Sequence, residues 1–238
     1  GNAGARNPFT TLRQLGPGHW CGWLSYEAAA WTESGNPWRA DAMACLWIAR
    51  HDPVLRFDLK EQTLWIEASD PKRLDQMASW LASITAPSDD PPASIGITAD
   101  QWHWHSDRSA FAGGVQRIRE WIASGDLFQA NLTACCSTPW PEQHSALDLF
   151  LRLRQHCPAP FGGLLIGDGE ASGEAVLSTS PERFLRVDPD GRVETRPIKG
   201  TRPRDADPCK DAALAAELIC SPKDRAENVM IVDLLRND

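Results

Sequence analysis

A strong turn sequence late in the chain, Asp188-Pro189-Asp190-Gly191, separates two runs rich in β-forming residues. Asp, Pro and Gly each favour tight turns, so the runs 183–187 and 192–198 are predicted to pair as an antiparallel hairpin. Counting outward from the turn sets Val187 opposite Arg192. The turn therefore decides which residues beyond the two strands become neighbours.

The predicted register brings an acid and an amine together. Continuing the pairing sets Glu182 opposite Pro197, two residues before Lys199. Glu182 and Lys199 would then share one face as diagonal neighbours, about 7–8 Å apart at the backbone. A one-residue slip would instead move them to opposite faces.

The hairpin region is locally basic within an acidic protein. Between residues 183 and 204 there are seven basic and three acidic residues, whereas the 238-residue chain has a formal net charge of -8. The basic residues are Arg183, Arg186, Arg192, Arg196, Lys199, Arg202 and Arg204. Localised positive charge of this kind favours a small anionic substrate over nucleic acid.

Lys199 has the surroundings expected of a reactive amine. It lies beside Gly200 and between Arg196 and Arg202, and both partial desolvation and nearby positive charge favour the neutral amine that a nucleophile requires. Glu182 would then be placed to donate a proton to a departing hydroxyl group. The alternative is an ordinary solvated Glu182–Lys199 pair, which contributes little.

A helix is predicted to begin at residues 221–224, where serine is the N-cap, proline is the first helical residue and Asp224 completes a capping box. Asp224 and Glu227 lie on the same stripe of this helix as its inward-facing apolar residues. Two inward carboxylates repel each other unless a cation lies between them, and their oxygen atoms suit Mg²⁺. Alternatively, Asp224 is only a cap and Glu227 forms a salt bridge with Lys223 or Arg225.

Short apolar runs alternate with helical patterns along the rest of the chain. Strands are predicted over 21–26, 43–49, 54–57, 63–66, 127–134 and near 163–166, and helices over 71–84, 111–125 and 146–155. In the strand over 127–134, Gln129 shares a mostly polar face and so points to a polar site or to water. The pattern predicts an α+β fold with antiparallel β-sheets and flanking helices.

The segment 86–92 is rich in proline and polar residues and is predicted to be an extended linker between residues 1–92 and 93–238. The chain has no bilayer-length apolar run and no signal-peptide pattern, so a soluble, cytoplasmic protein is expected. It lacks an initiator methionine and stops inside a predicted helix. We therefore expect an internal fragment of a longer protein.

Several segments of the chain resemble those of the chorismate-utilising enzymes. They are 180–184, 195–204 and 221–238, extended by 125–133 and more weakly by 22–27. The similarity is greatest to their aminodeoxychorismate synthase component I branch. It implies an anthranilate synthase component I-like fold, truncated at both ends. Residues 1–92 would be part of the N-terminal domain and linker, and residues 93–238 the N-terminal part of the chorismate-binding catalytic domain.

Two positions separate the branches of this superfamily, and a third agrees with them. The isochorismate and salicylate synthases have a water-activating lysine where this chain has Gln129, so the resemblance implies a substrate-binding glutamine and ammonia as the nucleophile. Anthranilate synthases usually have alanine at the position of Lys199 and commonly histidine at that of Asn228. Together the three residues favour the aminodeoxychorismate branch.

The resemblance also implies a mechanism. Lys199 would attack C2 of chorismate while Glu182 assists departure of the C4 hydroxyl, and ammonia would add at C4 as the lysine leaves, giving 4-amino-4-deoxychorismate, the precursor of p-aminobenzoate. Mg²⁺ would neutralise the charge of a substrate carboxylate. Glu227 would bind it directly and Asp224 through water, while Thr201 would contact the substrate.

Ammonia would come from a glutamine amidotransferase, as a subunit or a fused domain, and neither nucleic acid nor a membrane is expected as a partner. The family's glycine-rich carboxylate-binding segment and second pair of metal-site acids are absent from this chain, so it is expected neither to hold Mg²⁺ tightly nor to turn over by itself. Two alternatives stand beside this prediction. They are an anthranilate synthase component I and a non-catalytic relative that acts as a binding subunit.

Overall fold

The computed structural model describes residues 7–32, 43–85 and 94–237. Its helices are α1 (Pro8–Arg13), α2 (Pro71–Ser83), α3 (Arg108–Ser124), α4 (Ala146–His156), α5 (Pro208–Cys220) and α6 (Pro222–Asn237). Its strands are β1 (His19–Leu24), β2 (Leu46–His51), β3 (Val54–Asp58), β4 (Thr63–Glu67), β5 (His103–Trp104), β6 (Cys136–Ser137), β7 (Phe161–Ile166), β8 (Ala175–Ser180), β9 (Arg186–Val187) and β10 (Val193–Glu194). The linker predicted over 86–92 lies outside the described residues.

The strands of the described residues form antiparallel pairs. β1 pairs with β2, β3 with β4, β5 with β6, β7 with β8 and β9 with β10, each as a two-stranded sheet. The described residues thus contain six α-helices and five two-stranded antiparallel sheets, which confirms the predicted α+β class. None of the helices in the described ranges has both the length and the apolar composition that crossing a bilayer requires.

The chain divides into two compact units. The first comprises residues 1–88 and 153–238, and the second comprises residues 89–152. The first unit contains β1–β4 together with β7–β10, α5 and α6, whereas the second contains β5, α3 and β6. The domain division predicted at residue 92 stays a prediction, because the linker that carries it is not described.

Trp23 is part of the core of the first unit and pairs with the half-buried Trp47. Trp23 is 9% exposed, its ring stacks on that of Trp47 with centroids 4.7 Å apart, and its Nε1 donates to the Ala44 carbonyl at 3.0 Å. Gly167 permits close packing here, since a Cβ on it would lie 3.1 Å from the Trp23 ring. Burial of the ring together with satisfaction of its N–H stabilises the pairing of β1 with β2.

Hydrogen bonds also join the segment around β2 to the connection between β7 and β8. The Ala44 N–H donates to both carboxylate oxygens of Glu174, at 3.1 and 3.0 Å, and Trp47 Nε1 donates to Asp168 Oδ1 at 3.1 Å. These partners are 130 and 121 positions apart in the sequence. The early strands and the late sheet are therefore parts of one unit.

The prediction of a strand over 127–134 is wrong. Helix α3 ends at Ser124 and is capped by Gly125, whose φ of 84° is left-handed. The Leu127 N–H then donates back to the Trp121 carbonyl at 3.3 Å. Pairing with β5 begins only at Cys136. An alternating sequence forms a strand only where a neighbour accepts its backbone hydrogen bonds, and no strand of the described residues does so for 127–134.

The predicted hairpin is confirmed, but its register is wrong by one residue. Val187 lies opposite Val193, because the Asp188 N–H donates to the Arg192 carbonyl at 2.9 Å and closes a three-residue loop over 189–191. Gly191 takes a left-handed φ of 82° at the end of this loop, as such loops require. The paired strands are also shorter than predicted.

Replacing Trp23 with alanine should lower the free energy of unfolding by about 3–5 kcal/mol, because it removes a buried aromatic ring and leaves a cavity. Trp80→Ala is the matched control, since Trp80 on α2 is 54% exposed and its loss should cost about 0.5 kcal/mol. Urea unfolding followed by circular dichroism measures both. Equal losses would contradict the assignment of Trp23 to the core.

Candidate active site

Lys199 lies in the loop between β10 and α5 and lines a cavity of about 270 Å³. The other lining residues are Leu218 and Ile219 from the last turn of α5, and Asp224, Arg225, Asn228 and Val229 from α6. The cavity therefore lies between the lysine loop and the corner where α5 meets α6. Its walls combine aliphatic surface with charged and amide groups.

The arginines of the stretch 183–204 are all held in ion pairs. Arg183 and Arg196 pair with Glu194, Arg186 with Asp188, Arg192 with Asp190, Arg202 with Glu217 and Asp224, and Arg204 with Asp211. Lys199 is half-buried and makes no ion pair within the described ranges. The positive charge noted in the sequence is thus largely neutralised at the arginines and left free at the lysine.

Glu182 contacts the lysine loop through the backbone. Its Oε1 accepts a hydrogen bond from the Ile198 N–H at 3.0 Å, and the Ser180 hydroxyl donates to the Glu182 carbonyl at 3.0 Å. Continuing the observed hairpin register sets Glu182 opposite Ile198, so the shifted register explains this contact. In this register Glu182 shares a face with Ile198 and not with Lys199, so the predicted same-face, diagonal arrangement of Glu182 and Lys199 is wrong. The carboxylate instead lies beside the peptide that precedes Lys199, and the two side chains form no ion pair.

Gly200 allows the lysine loop to pack directly on α6. Its φ of 74° is left-handed, and a Cβ there would lie 2.7 Å from Asp224 Cγ and 2.8 Å from Leu218 Cδ1. On the other side of Lys199, Asn228 Nδ2 donates to the Pro197 carbonyl at 3.3 Å. The loop is therefore fixed on both sides of the amine.

Asp224 is held in its charged form at the start of α6. Its N–H donates to the Ser221 hydroxyl oxygen at 3.3 Å, as predicted for an N-cap serine. A hydrogen bond from the Ser221 side chain, and then one from Arg202, hold the pKa of the Asp224 carboxyl below its ordinary value. Arg202 Nη2 donates to Asp224 Oδ2 at 3.2 Å. Arg202 Nε donates to Glu217 Oε1 at 2.8 Å, and this second hydrogen bond is the main cause of the raised pKa of Arg202.

Comparison with known proteins matches residues 3–238 to the family described as chorismate binding enzyme. The chain belongs to this family. Aminodeoxychorismate synthase of Streptomyces griseus is 37% identical over 236 residues, which are 92% of this chain and 31% of that protein. Aminodeoxychorismate synthase component 1 of Salmonella typhimurium is 39% identical over 165 residues, which are 69% of this chain and 34% of that protein. The chain thus spans about a third of the length of these two curated relatives.

A solved structure confirms the predicted fold of this chain. Anthranilate synthase component I from Streptococcus pneumoniae matches with a TM-score of 0.70 at 24% identity, over 92% of this chain and 49% of that chain. The two share an architecture, and the chain corresponds to about half of that structure's length.

The two predicted substrate-binding residues lie in different units of the chain. Gln129 is exposed and belongs to the second unit. Thr201 is exposed in the first unit, two residues after Lys199, and its carbonyl accepts from Arg202 Nη1 at 2.9 Å. Their roles toward substrate stay predictions.

The two predicted metal-site acids, Asp224 and Glu227, both lie on α6. Glu227 lies one turn after Asp224 and pairs with Lys223 at 3.8 Å, the partner considered from the sequence. Carboxylate oxygens are the ligands that Mg²⁺ prefers, so the donor chemistry fits. Within the described ranges, however, no three His, Cys, Asp or Glu side chains are grouped to hold a metal ion.

Helix α5 is the part of the site that the sequence predictions missed. It supplies Leu218 and Ile219 to the cavity and Glu217 to Arg202. A start signal was present, because Asp207 accepts from the Cys209 N–H at 2.8 Å and Pro208 occupies the first helical position.

Gly200→Ala should lower the free energy of unfolding more than Gly191→Ala. Both glycines have a left-handed φ, 74° and 82°, so each alanine costs about 1–2 kcal/mol. Only at Gly200 would the new Cβ overlap neighbouring atoms, and this adds about 1–3 kcal/mol. Urea unfolding of the two variants measures the difference, and equal losses would show that the loop does not pack tightly on α6.

Proposed function

We propose that this chain carries the lysine-bearing part of an aminodeoxychorismate synthase component I, which converts chorismate into 4-amino-4-deoxychorismate. The observation that carries the proposal is the half-buried Lys199 residue, which lines a cavity and is free of ion pairs within the described residues. Relatives named aminodeoxychorismate synthase, 37% and 36% identical over most of the chain, support the choice of substrate and reaction.

In the proposed reaction, Lys199 forms a covalent bond with the substrate. Its neutral Nζ attacks C2 of chorismate, both conjugated ring double bonds shift by one position, and the C4–O bond breaks. A proton from Glu182 lets the hydroxyl group leave as water. Ammonia then adds at C4 while the two double bonds shift back, the C2–Nζ bond breaks and the lysine leaves as the neutral amine. The surplus proton of the new C4 ammonium returns to Glu182. The net change consumes chorismate and ammonia and yields 4-amino-4-deoxychorismate and water.

The contacts of Glu182 suit the role of proton donor. Its Oε1 accepts the Ile198 N–H at 3.0 Å, which fixes the carboxyl group beside the lysine loop. Its Oε2 makes no hydrogen bond to any residue in the described ranges. That second oxygen is therefore available to carry the proton that the leaving hydroxyl takes.

We propose Mg²⁺ as the cofactor, bound by Glu227 directly and by Asp224 through water. When bound, it neutralises the charge of a substrate carboxylate. Asp224 forms an ion pair with Arg202, and Glu227 forms one with Lys223. A bound cation would therefore share each carboxylate with its basic partner.

Ammonia is proposed to come from a glutamine amidotransferase, as a separate subunit or a fused domain. Several relatives are named as component 1 of aminodeoxychorismate synthase, which supports an enzyme of more than one component. The cytoplasmic location expected from the sequence stays a prediction.

An anthranilate synthase component I is the second candidate. Anthranilate synthase component 1 1 of Haloarcula marismortui is 35% identical over 91% of this chain. The complete protein, supplied with chorismate, an ammonium salt and Mg²⁺ and then treated with aminodeoxychorismate lyase, distinguishes the two. We expect p-aminobenzoate, and anthranilate as the sole product would overturn the proposed function.

Lys199→Ala in the complete protein should reduce aminodeoxychorismate formation on the order of 10⁴-fold, because the bond-forming nitrogen is lost. Lys199→Arg keeps the positive charge but not the nucleophile and should be as inactive. Lys210→Ala, which removes an exposed lysine of α5, is the control and should keep full activity. Activity restored by arginine would show that Lys199 acts only through its charge.

Glu227→Gln should raise the Mg²⁺ concentration needed for half-maximal rate by about 10–100-fold, since it removes a charged ligand. Asp233→Asn is the matched control, because Asp233 lies on the same helix and pairs only with Arg236 at 3.1 Å within the described residues. Rate measurements against Mg²⁺ test both variants. An unchanged Mg²⁺ requirement in Glu227→Gln would exclude this residue as a ligand.

A further inference from the structure

Arg202 differs from the other arginines of the basic stretch in what it contacts. Its partner Asp224 lines the cavity, whereas the carboxylates paired with the other five arginines do not. Arg202 is itself not a lining residue. Its side chain is 24% exposed, against 88% for Arg204. Arg202 therefore reaches the cavity only through another residue.

The Asp224 carboxylate is enclosed between two groups. On one side Arg202 Nη2 donates to Oδ2 at 3.2 Å, and on the other the Cα of Gly200 approaches so closely that a Cβ would lie 2.7 Å from Oδ1. The side chain of Asp224 is 14% exposed. A shift of this carboxylate toward the loop would therefore press on Gly200, the residue that follows Lys199.

We propose that Arg202 is a positioning residue for the Lys199 amine, acting through Asp224 and Gly200. The proposal rests on the function proposed above. The guanidinium contacts carboxylates on two helices at once, through Nε to Glu217 on α5 and through Nη2 to Asp224 on α6. It thus ties the corner of α5 and α6 to the loop that carries the amine.

An arginine is required for this contact. The planar guanidinium holds two carboxylates in fixed directions, whereas a lysine ammonium is a single charge on a flexible stem. Reaction rates depend steeply on the placement of the reacting groups, and a displacement of about 1 Å can cost about 100-fold. Loss of Arg202 should therefore reduce kcat more than it changes substrate affinity.

The test compares Arg202→Met and Arg202→Lys in the complete protein. Both should lower kcat by about 10–100-fold, with the KM for chorismate within about threefold of the parent, because Arg202 does not line the cavity. Arg204→Met is the matched control. Arg204 makes two hydrogen bonds to Asp211 on α5, at 2.7 and 2.8 Å, but Asp211 does not line the cavity, and kcat should be unchanged.

A second readout does not depend on the reaction. The rate at which an amine-selective acylating reagent modifies Lys199, followed by peptide mass spectrometry, should change in both Arg202 variants and stay constant in Arg204→Met. If the parent protein forms no aminodeoxychorismate, the proposed function fails while this measurement still decides the positioning role. If the parent is active, the kcat comparison decides the positioning role alone.

Two results would overturn the proposal. One is a kcat for Arg202→Met equal to that of Arg204→Met, and the other is full recovery by Arg202→Lys. If Arg202→Met does not fold, Glu217→Ala removes only the outer contact and should lower kcat by about threefold to tenfold. An unchanged kcat in Glu217→Ala would also refute the positioning role.

Discussion

The close approach of Gly200 to the Asp224 carboxylate determines where the lysine loop meets helix α6. It requires a residue without a side chain in a left-handed conformation. It also requires that α5 and α6 turn sharply, and only Ser221 lies between the end of α5 and Pro222. That corner brings Leu218 and Asp224 to the same side of the loop. The cavity beside Lys199 is a consequence of this packing.

The electrostatics of the site depend on which charges are already satisfied. Exposed ion pairs contribute little to stability, but they remove the arginines of the stretch from competition for an anionic ligand. Glu194 accepts hydrogen bonds from both Arg183 and Arg196. The hydrogen bond from Arg196 is the main cause of the lowered pKa of Glu194. The charge count in the sequence therefore overstated the free positive charge and understated how distinct the lysine is.

Features set by local chemistry could be predicted from the sequence. The C-terminus of α3 could be predicted from Gly125 and the N-terminus of α6 from Ser221, because one or two residues specify where a helix begins or ends. The hairpin followed from its turn residues. Its register did not, because a four-residue turn was assumed where Asp188 and Arg192 close a three-residue loop.

Features set by distant partners could not be predicted. The alternation over 127–134 indicates a strand, yet no described strand pairs with it. Within the site, Lys199 and Asp224 were each singled out, and the structure places both on one cavity. The contact of Arg202 with both α5 and α6 depends on how two helices pack, and no spacing in the sequence encodes it.

The hydrogen bonds from Ala44 and Trp47 to Glu174 and Asp168 have a consequence for protein engineering. They support the connection that leads into β8, and β8 ends at Ser180, whose hydroxyl bonds to Glu182. Chimeras that exchange the first ninety or so residues between homologues would separate these donors from their acceptors. A functional hybrid would have to carry the matching acceptor loop from the same parent.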